Sequence, residues 1–166
     1  EVDSHESLPI IDNCLNDLLS REFSPFIQLR FAAAAMTGHL LFPKLDQTHP
    51  VTFSKKIIND IIRNLIKFEG LLLSDDLSMN ALTGSIGDRY ISALEAGCDV
   101  GLHCNGNVQE MELVAKACPG TNEVSKSRIQ IFLKKVADVS NNREISQIQE
   151  LKASLREGLK GFFNLT

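Results

Sequence analysis

The most regular hydrophobic pattern in the chain lies between residues 54 and 66, where it predicts an amphipathic helix. The apolar positions recur at i, i+1, i+4, i+5, i+8 and i+9, which places them on one helical face. They are Ile57, Ile58, Ile61, Ile62, Leu65 and Ile66. Ser54 precedes them as a suitable N-cap residue, because its hydroxyl can accept a hydrogen bond from the first turn. Three leucines then follow Gly70 and end at Ser74-Asp75-Asp76, which predicts a short buried strand.

The same order of elements repeats downstream. A helix is predicted near residues 87–96, and Gly97 is a good residue to end it because glycine tolerates the left-handed backbone found after helices. The apolar segment Val100–Cys104 predicts another buried strand. After the turn Asn105-Gly106-Asn107, a further helix is predicted from Val108 towards the Pro-Gly pair at 119–120.

The first 53 residues are less regular. Residues 1–12 predict a loop, residues 13–21 a helix, and residues 40–53 a long loop with two prolines. The segment FAAAAMTGH (31–39) is ambiguous. Alanine favours helix, but small residues also suit the crowded inside of a barrel, and we predict a strand here.

Alternating strands and helices predict an α/β fold with a parallel sheet and helices outside it. Two amphipathic segments at the end, 122–139 and 144–163, predict helices that pack over the sheet or close the base of a barrel. Three strands do not close a (β/α)8 barrel, which takes about 250 residues. The pattern alone leaves two alternatives, a small open sheet or a piece of a barrel with two unpaired sheet edges.

Amino-acid composition and net charge argue against some classes of function. The 166 residues are 43% hydrophobic and 23% charged, which is typical of a globular domain. A net charge of −4 argues against nucleic-acid or anionic membrane surfaces, which need clustered Lys and Arg. The four scattered cysteines form no C-x-x-C pair and predict free thiols in a reducing compartment, so we expect a cytoplasmic protein. The chain opens at Glu1 rather than Met, so an N-terminal signal could be missing.

Reactive groups of parallel α/β folds lie at the carboxyl ends of strands. Those ends carry His39, Asp75, Asp76, His103 and Cys104, and the first loop adds Asp3 and His5. An Asp at a strand end often only caps the next helix, and His103, predicted to lie within a strand, favours a structural role. Two adjacent carboxylates repel each other and lose hydration, so we expect nearby groups to compensate. The residues alone do not choose between Asp75 and Asp76.

One stretch resembles the active-site signature of glycoside hydrolase family 3, in which an apolar strand ends in Ser/Thr-Asp and a small residue follows three positions later. The stretch is KFEGLLLSDDLSMNAL (67–82), and its matching residues are Ser74, Asp75 and Ser78, with Ile61, Ile62, Arg63 and Gly70 upstream. Three further segments resemble landmarks of the NagZ-type bacterial β-N-acetylhexosaminidase branch, in the same order. They are VDSHESLP (2–9), AMTGHLLFPKLD (35–46) and ALEAGCDVGLHCN (93–105).

The resemblance implies a (β/α)8 barrel of the TIM type, of which residues 1–166 form the C-terminal portion with about three strands and two C-terminal helices. It also implies a retaining hydrolase with Asp75 as nucleophile, His5 as general acid/base and Asp3 as the partner of His5. His39 is a candidate substrate-binding residue. No metal or cofactor is implied, and the substrate would be terminal N-acetylglucosamine on muropeptides of cell-wall recycling.

Two positions depart from the family pattern. Leu65 stands where the signature has an acidic or amide residue, and Gly38 stands where relatives more often have Ala. The family's first half, with the Arg and Lys-His residues that hold the N-acetyl sugar and a Gly-rich stretch just before the first loop, has no counterpart in the chain. We therefore expect the full-length protein to be active, and this chain to be inactive without the missing N-terminal half of the barrel.

Two alternatives belong to other classes. A metal-dependent barrel hydrolase would use Asp3, His5, His39 and Asp75 as ligands, because His and carboxylate groups also bind zinc. The lack of an H-x-H pair counts against it. The other alternative is a non-catalytic remnant of a split gene.

Overall fold

The computed structural model describes residues 7–142 of the chain, and their side chains through residue 139. The chain divides into a first compact unit that ends at Phe132 and a second that starts at Leu133. The described part of the second unit is the last portion of one helix, so the sheet and the candidate site both belong to the first unit. The predicted helix over 144–163 lies outside the described residues.

The first unit is built on three parallel strands in the order β1-β2-β3. They span Ala34–Met36 (β1), Leu71–Asp76 (β2) and Val100–Leu102 (β3). Leu73 in the central strand is opposite Met36 on one side and Val100 on the other. The strand predicted within 31–39 is confirmed, although it is only three residues long.

Within residues 7–142, five α-helices precede, connect or follow the strands. They span Leu15–Ser20 (α1), Ser24–Gln28 (α2), Ile86–Ala96 (α3), Val108–Ala117 (α4) and Glu123–Asn142 (α5). Only α2 has no counterpart in the sequence-based prediction. It is five residues long with Pro25 in its first turn, so it is too short to show a helical period. None of the described helices is long and apolar enough to cross a membrane.

The ends of α3 and α4 follow their sequence signals. Ser85 caps α3 by accepting a hydrogen bond from the Asp88 amide, and Gly97 ends the helix with a φ of 118°. Asn107 caps α4 in the same way through the amides of Gln109 and Glu110. These caps fix where the loops after β2 and β3 end, and those loops border the carboxyl ends of the strands.

The helix with the regular apolar stripe is a π-helix over Ile57–Leu65 rather than the predicted α-helix. Its amides bond five residues back, as from Ile66 to the Ile61 carbonyl at 2.8 Å. Ser54 is the predicted cap, because its Oγ accepts a hydrogen bond from the Ile57 amide at 3.0 Å. Altered winding places Leu65 at the edge of the stripe, where it is 39% exposed.

The core lies where the sheet, this π-helix and α3 pack together. Ile58, Leu72, Leu77 and Ala93 are buried in one hydrophobic cluster. Complete burial of a leucine side chain contributes about 1.5–3 kcal/mol. The packing is close, because a Cβ on Gly97 would lie 2.9 Å from Cγ2 of Ile58. This core holds the central strand in place, and the last residues of that strand lie at the carboxyl edge of the sheet.

Candidate active site at the carboxyl ends of the strands

The central strand ends in three polar residues with different surroundings. Ser74 is fully buried, whereas Asp75 and Asp76 are partly exposed. The Ser74 hydroxyl accepts a hydrogen bond from the Leu102 amide at 2.9 Å and donates one to the Asp75 carbonyl at 2.7 Å. Ser74 therefore links β2 to β3 directly below Asp75.

The carboxylate of Asp75 is oriented by its own neighbour in the chain. Its Oδ1 accepts a hydrogen bond from the backbone amide of Asp76 at 2.8 Å. Among the side chains of residues 7–139, none forms an ion pair with Asp75. Within that part of the chain, the carboxylate is thus oriented by the backbone and has no ion pair.

Asp76 is engaged on several sides. Its side chain accepts hydrogen bonds from the Ser78 amide at 3.0 Å, the Ser78 hydroxyl at 2.7 Å and the Cys104 amide at 3.0 Å. Burial by itself raises the pKa of Asp76, but these hydrogen bonds outweigh burial and hold its pKa below the ordinary value. They supply the compensation expected for two adjacent carboxylates. The geometry favours Asp75 over Asp76 as the group that could reach a substrate.

His39 is buried behind the strand ends, 1% exposed. Its Nδ1 lies 2.8 Å from the Thr52 hydroxyl, and its Nε2 lies 2.9 Å from the Asp76 carbonyl oxygen. The predicted substrate contact of His39 stays a prediction; in this structure both ring nitrogens are engaged within the protein. No sequence pattern indicated a role for Thr52, which lies in a segment expected to be an irregular loop.

His103 follows β3 rather than lying inside it, and it pairs with the next helix. Its Nε2 lies 2.7 Å from Oε2 of Glu110 in α4, and Asn105 donates to the same oxygen at 2.8 Å. These hydrogen bonds lower the pKa of Glu110. The arrangement fixes the loop between β3 and α4, in keeping with the structural role favoured for His103.

Cys104 is exposed beside the two carboxylates. Burial, then the negative charges of Asp76 and Asp75, raise the pKa of its thiol. A raised pKa keeps the thiol protonated, and a protonated thiol is a poor nucleophile. Cys104 is therefore not favoured as the reactive group of this site.

Asp3 and His5, the expected acid/base pair, lie outside the described residues, so their roles stay predictions. The same two residues belong to the metal-hydrolase alternative. Within the described residues, no group of three or more His, Cys, Asp or Glu side chains is arranged to hold a metal ion.

A charged cluster at the opposite end of the sheet was not anticipated from the sequence. Asp99, just before β3, accepts hydrogen bonds from Arg63 at 2.9 Å, Ser125 at 2.7 Å and Arg128 at 3.1 Å. It also accepts one from the Leu72 amide at 2.9 Å. The cluster ties the π-helix, β2 and α5 together, far along the strand from Asp75.

An apolar cavity of about 460 Å³ opens beside β1, and its lining extends to Met36 and Thr37 at the carboxyl end of that strand. Its lining includes Phe23, Phe26, Leu29, Met36, Ile62 and Phe68. Four large apolar side chains in this region are more than half exposed, namely Phe26, Leu29, Phe31 and Met36. The cavity contains none of the polar residues of the candidate site.

Comparison with known proteins adds three findings. Residues 1–139 match the family model described as the glycosyl hydrolase family 3 N terminal domain. A β-hexosaminidase of Idiomarina loihiensis is 31% identical over 159 residues, which is 94% of this chain and 46% of the relative. A β-hexosaminidase of Pseudomonas aeruginosa is 35% identical over 133 residues, covering 78% of this chain and 40% of the relative.

Among solved structures, native NagZ from Neisseria gonorrhoeae is similar, with a TM-score of 0.67 and 34% identity. The similarity covers 78% of this chain and 38% of that one. The same protein has been solved in complex with N-trifluoroacetyl-D-glucosamine. The chain thus spans less than half the length of the curated relatives that it matches.

Proposed function

Because the chain belongs to the glycosyl hydrolase family 3 N-terminal domain family, we propose that it carries the nucleophile of a β-N-acetylhexosaminidase. The observation that carries the proposal is the carboxylate of Asp75. It lies partly exposed at the carboxyl end of β2, it has no ion-pair partner among residues 7–139, and the Asp76 amide orients it. The fold agrees, since this family's domain is of the TIM-barrel type and the three-stranded parallel sheet is part of such a barrel.

The reaction would proceed with retention. Asp75 attacks the anomeric carbon while the bond to the leaving oxygen breaks, and a covalent glycosyl-enzyme forms. His5 donates a proton to that oxygen and then takes one from the water that releases the sugar, because an imidazole exchanges protons readily near neutral pH. Asp3 orients the ring of His5 and stabilises its protonated form.

The substrate class is an N-acetylglucosamine residue at the end of a glycan. The named activity of the relatives and the amino-sugar complex of the Neisseria protein support this class. The finer proposal is release of terminal N-acetylglucosamine from peptidoglycan-derived muropeptides in the cytoplasm, as part of cell-wall recycling. Scattered free cysteines fit a reducing compartment.

We further propose that activity needs a complementary half-barrel, supplied by a preceding segment or a separate chain. In the described part of the chain, β1 pairs with β2 alone, so its other edge is open. Parallel sheets are normally covered on both faces and closed or flanked at their edges. The exposed apolar residues beside β1 and the neighbouring cavity offer a surface for the missing strands and helices. The relatives, about twice as long, would supply that half within one chain.

The test is hydrolysis of a chromogenic N-acetylglucosaminide. The native protein with its complementary half should turn the substrate over, and Asp75→Ala should abolish turnover. Asp60→Ala, at an exposed carboxylate of the π-helix, is the matched control and should keep it. Unchanged activity in Asp75→Ala would contradict the assignment of Asp75 as the nucleophile. Hydrolysis by the purified 166-residue chain alone would contradict the proposal that activity needs a second half-barrel.

A further inference from the structure

His39 is the largest buried polar side chain near the candidate site. Its ring is 1% exposed and lies between Thr52 on one side and the backbone of Asp76 on the other. A buried polar side chain is retained at a cost unless its hydrogen bonds are made. Both ring nitrogens of His39 make one.

The partners of the ring define its tautomer. A carbonyl oxygen only accepts, so the 2.9 Å contact with the Asp76 carbonyl requires a proton on Nε2. The Thr52 hydroxyl lies 2.8 Å from Nδ1, closer than its 3.4 Å contact with the Gly38 carbonyl, so in this tautomer it donates to the unprotonated Nδ1. Thr37 then donates to Thr52 at 3.0 Å, which completes the chain of donors.

The hydrogen bonds continue through Asp76 to Asp75. The Asp76 carbonyl accepts from His39, and the Asp76 amide donates to Oδ1 of Asp75. The side chain of Asp76 is itself anchored to Ser78 and to the Cys104 amide. Residue 76 is therefore held at its carbonyl and its side chain, while its amide aims the carboxylate of Asp75.

We propose that His39 is a positioning residue for Asp75, acting as a neutral Nε2–H donor to the Asp76 carbonyl, which fixes its tautomer, while the Thr52 hydroxyl donates to Nδ1. Its effect on turnover rests on the proposed function of Asp75, but the hydrogen-bond relay does not. The attacking oxygen must lie about 3–3.5 Å from the anomeric carbon, and a misplacement of about 1 Å can cost about 100-fold in rate. His39 holds the carbonyl of the peptide between residues 76 and 77, which is the next peptide along the backbone after the one whose N–H orients Asp75.

The kinetic test compares three variants in the native protein with its complementary half. His39→Phe keeps a ring but removes the donor, and should lower kcat about 10- to 100-fold with KM changed less than about twofold. His39→Gln can still donate from its amide and should recover most of the loss. His49→Gln, at an exposed histidine of the same segment, is the matched control and should behave as the unmodified protein. Equal kcat in His39→Phe and the control, or equal losses in His39→Phe and His39→Gln, would overturn the proposal.

A spectroscopic test does not depend on turnover. Nitrogen-15 NMR of the histidine rings should show His39 as the neutral Nε2–H tautomer, and an Nδ1–H tautomer would overturn the proposal. The Asp76 amide proton reports its bond to Asp75, and its chemical shift should move in His39→Phe and, to a smaller extent, in Thr52→Val. An unmoved shift in both variants contradicts the relay. If the shift moves but the protein has no hydrolase activity, the hydrogen-bond relay is supported and only the proposed function is contradicted. If His39→Phe fails to fold, Thr52→Val still tests the relay.

Discussion

The guanidinium of Arg63 and the carboxylate of Asp99 form a buried ion pair with an Nη2–Oδ2 distance of 2.9 Å. The Asp99 side chain is 1% exposed and also meets Arg128 and Ser125. Arg63 in addition donates to the carbonyl oxygens of Phe68 and Gly70, which lie just before β2. This pair therefore fixes the start of the strand whose other end carries Asp75.

Asp99→Ala should lower the free energy of unfolding by about 3–5 kcal/mol, because it leaves buried guanidinium groups without their carboxylate. Urea denaturation followed by circular dichroism measures the change. Glu123→Ala is the control, since its exposed pair with Lys126 should contribute less than about 1 kcal/mol. Equal stabilities of the two variants would show that the buried cluster does not hold the fold.

The loop that contains Asp46 should make stability depend on pH in the acid range. Burial raises the pKa of Asp46, but hydrogen bonds from Thr48, Ser54 and His49 outweigh it and hold the pKa well below the ordinary value of 3.8. A depressed folded-state pKa gives stability that is present above pH 3.8 and is lost as the pH falls below it. Melting temperatures of Asp46→Asn should thus fall less between pH 5 and about pH 2 than those of the unmodified protein. The same acid slope in both proteins would exclude this role.

The thiols should react in an order set by their surroundings. Burial raises the pKa of Cys98 to about 12, so it should stay unlabelled by a thiol reagent in the folded protein. Cys104 is exposed, but its pKa is raised by burial and by Asp76 and Asp75, so it should react more slowly than the exposed Cys14.

The thiol experiment also tests the position of Asp75. Asp75→Asn removes one of the two negative charges beside Cys104, and the labelling rate of Cys104 at pH 8 should rise while that of Cys14 stays constant. Mass spectrometry of labelled peptides gives both rates. An unaltered Cys104 rate would place Asp75 too far from the thiol for the arrangement described.

Much of the fold follows from sequence pattern because the signals are local. The run from Gly70 to Asp76 reads as a buried strand with a polar end, and Gly97 marks the end of α3 by its left-handed backbone. The π-helical winding of the helix over Ile57–Leu65 could not be predicted from local sequence signals. Its apolar spacing suits an α-helix equally well.

The sequence predicted which residues lie at the candidate site, but not the different roles of Asp75 and Asp76. Sequence pattern placed Asp75 and Asp76 together at a strand end. Only the contacts from Ser78 and Cys104 show that Asp76 is engaged, whereas among the described residues Asp75 accepts from the Asp76 amide and forms no ion pair. The burial of His39 against Thr52 depends on a long loop folding back, which no local pattern indicates.

The central claim is that Asp75 forms a covalent bond to the sugar. Incubating the native protein and its complementary half with a fluorinated N-acetylglucosaminide, which slows release of the intermediate, should trap the glycosyl-enzyme. Mass spectrometry of the digested protein should then find the added sugar on the peptide that contains Asp75, and no adduct in Asp75→Ala. A sugar attached to any other residue, or turnover of the substrate in Asp75→Ala, would contradict the account.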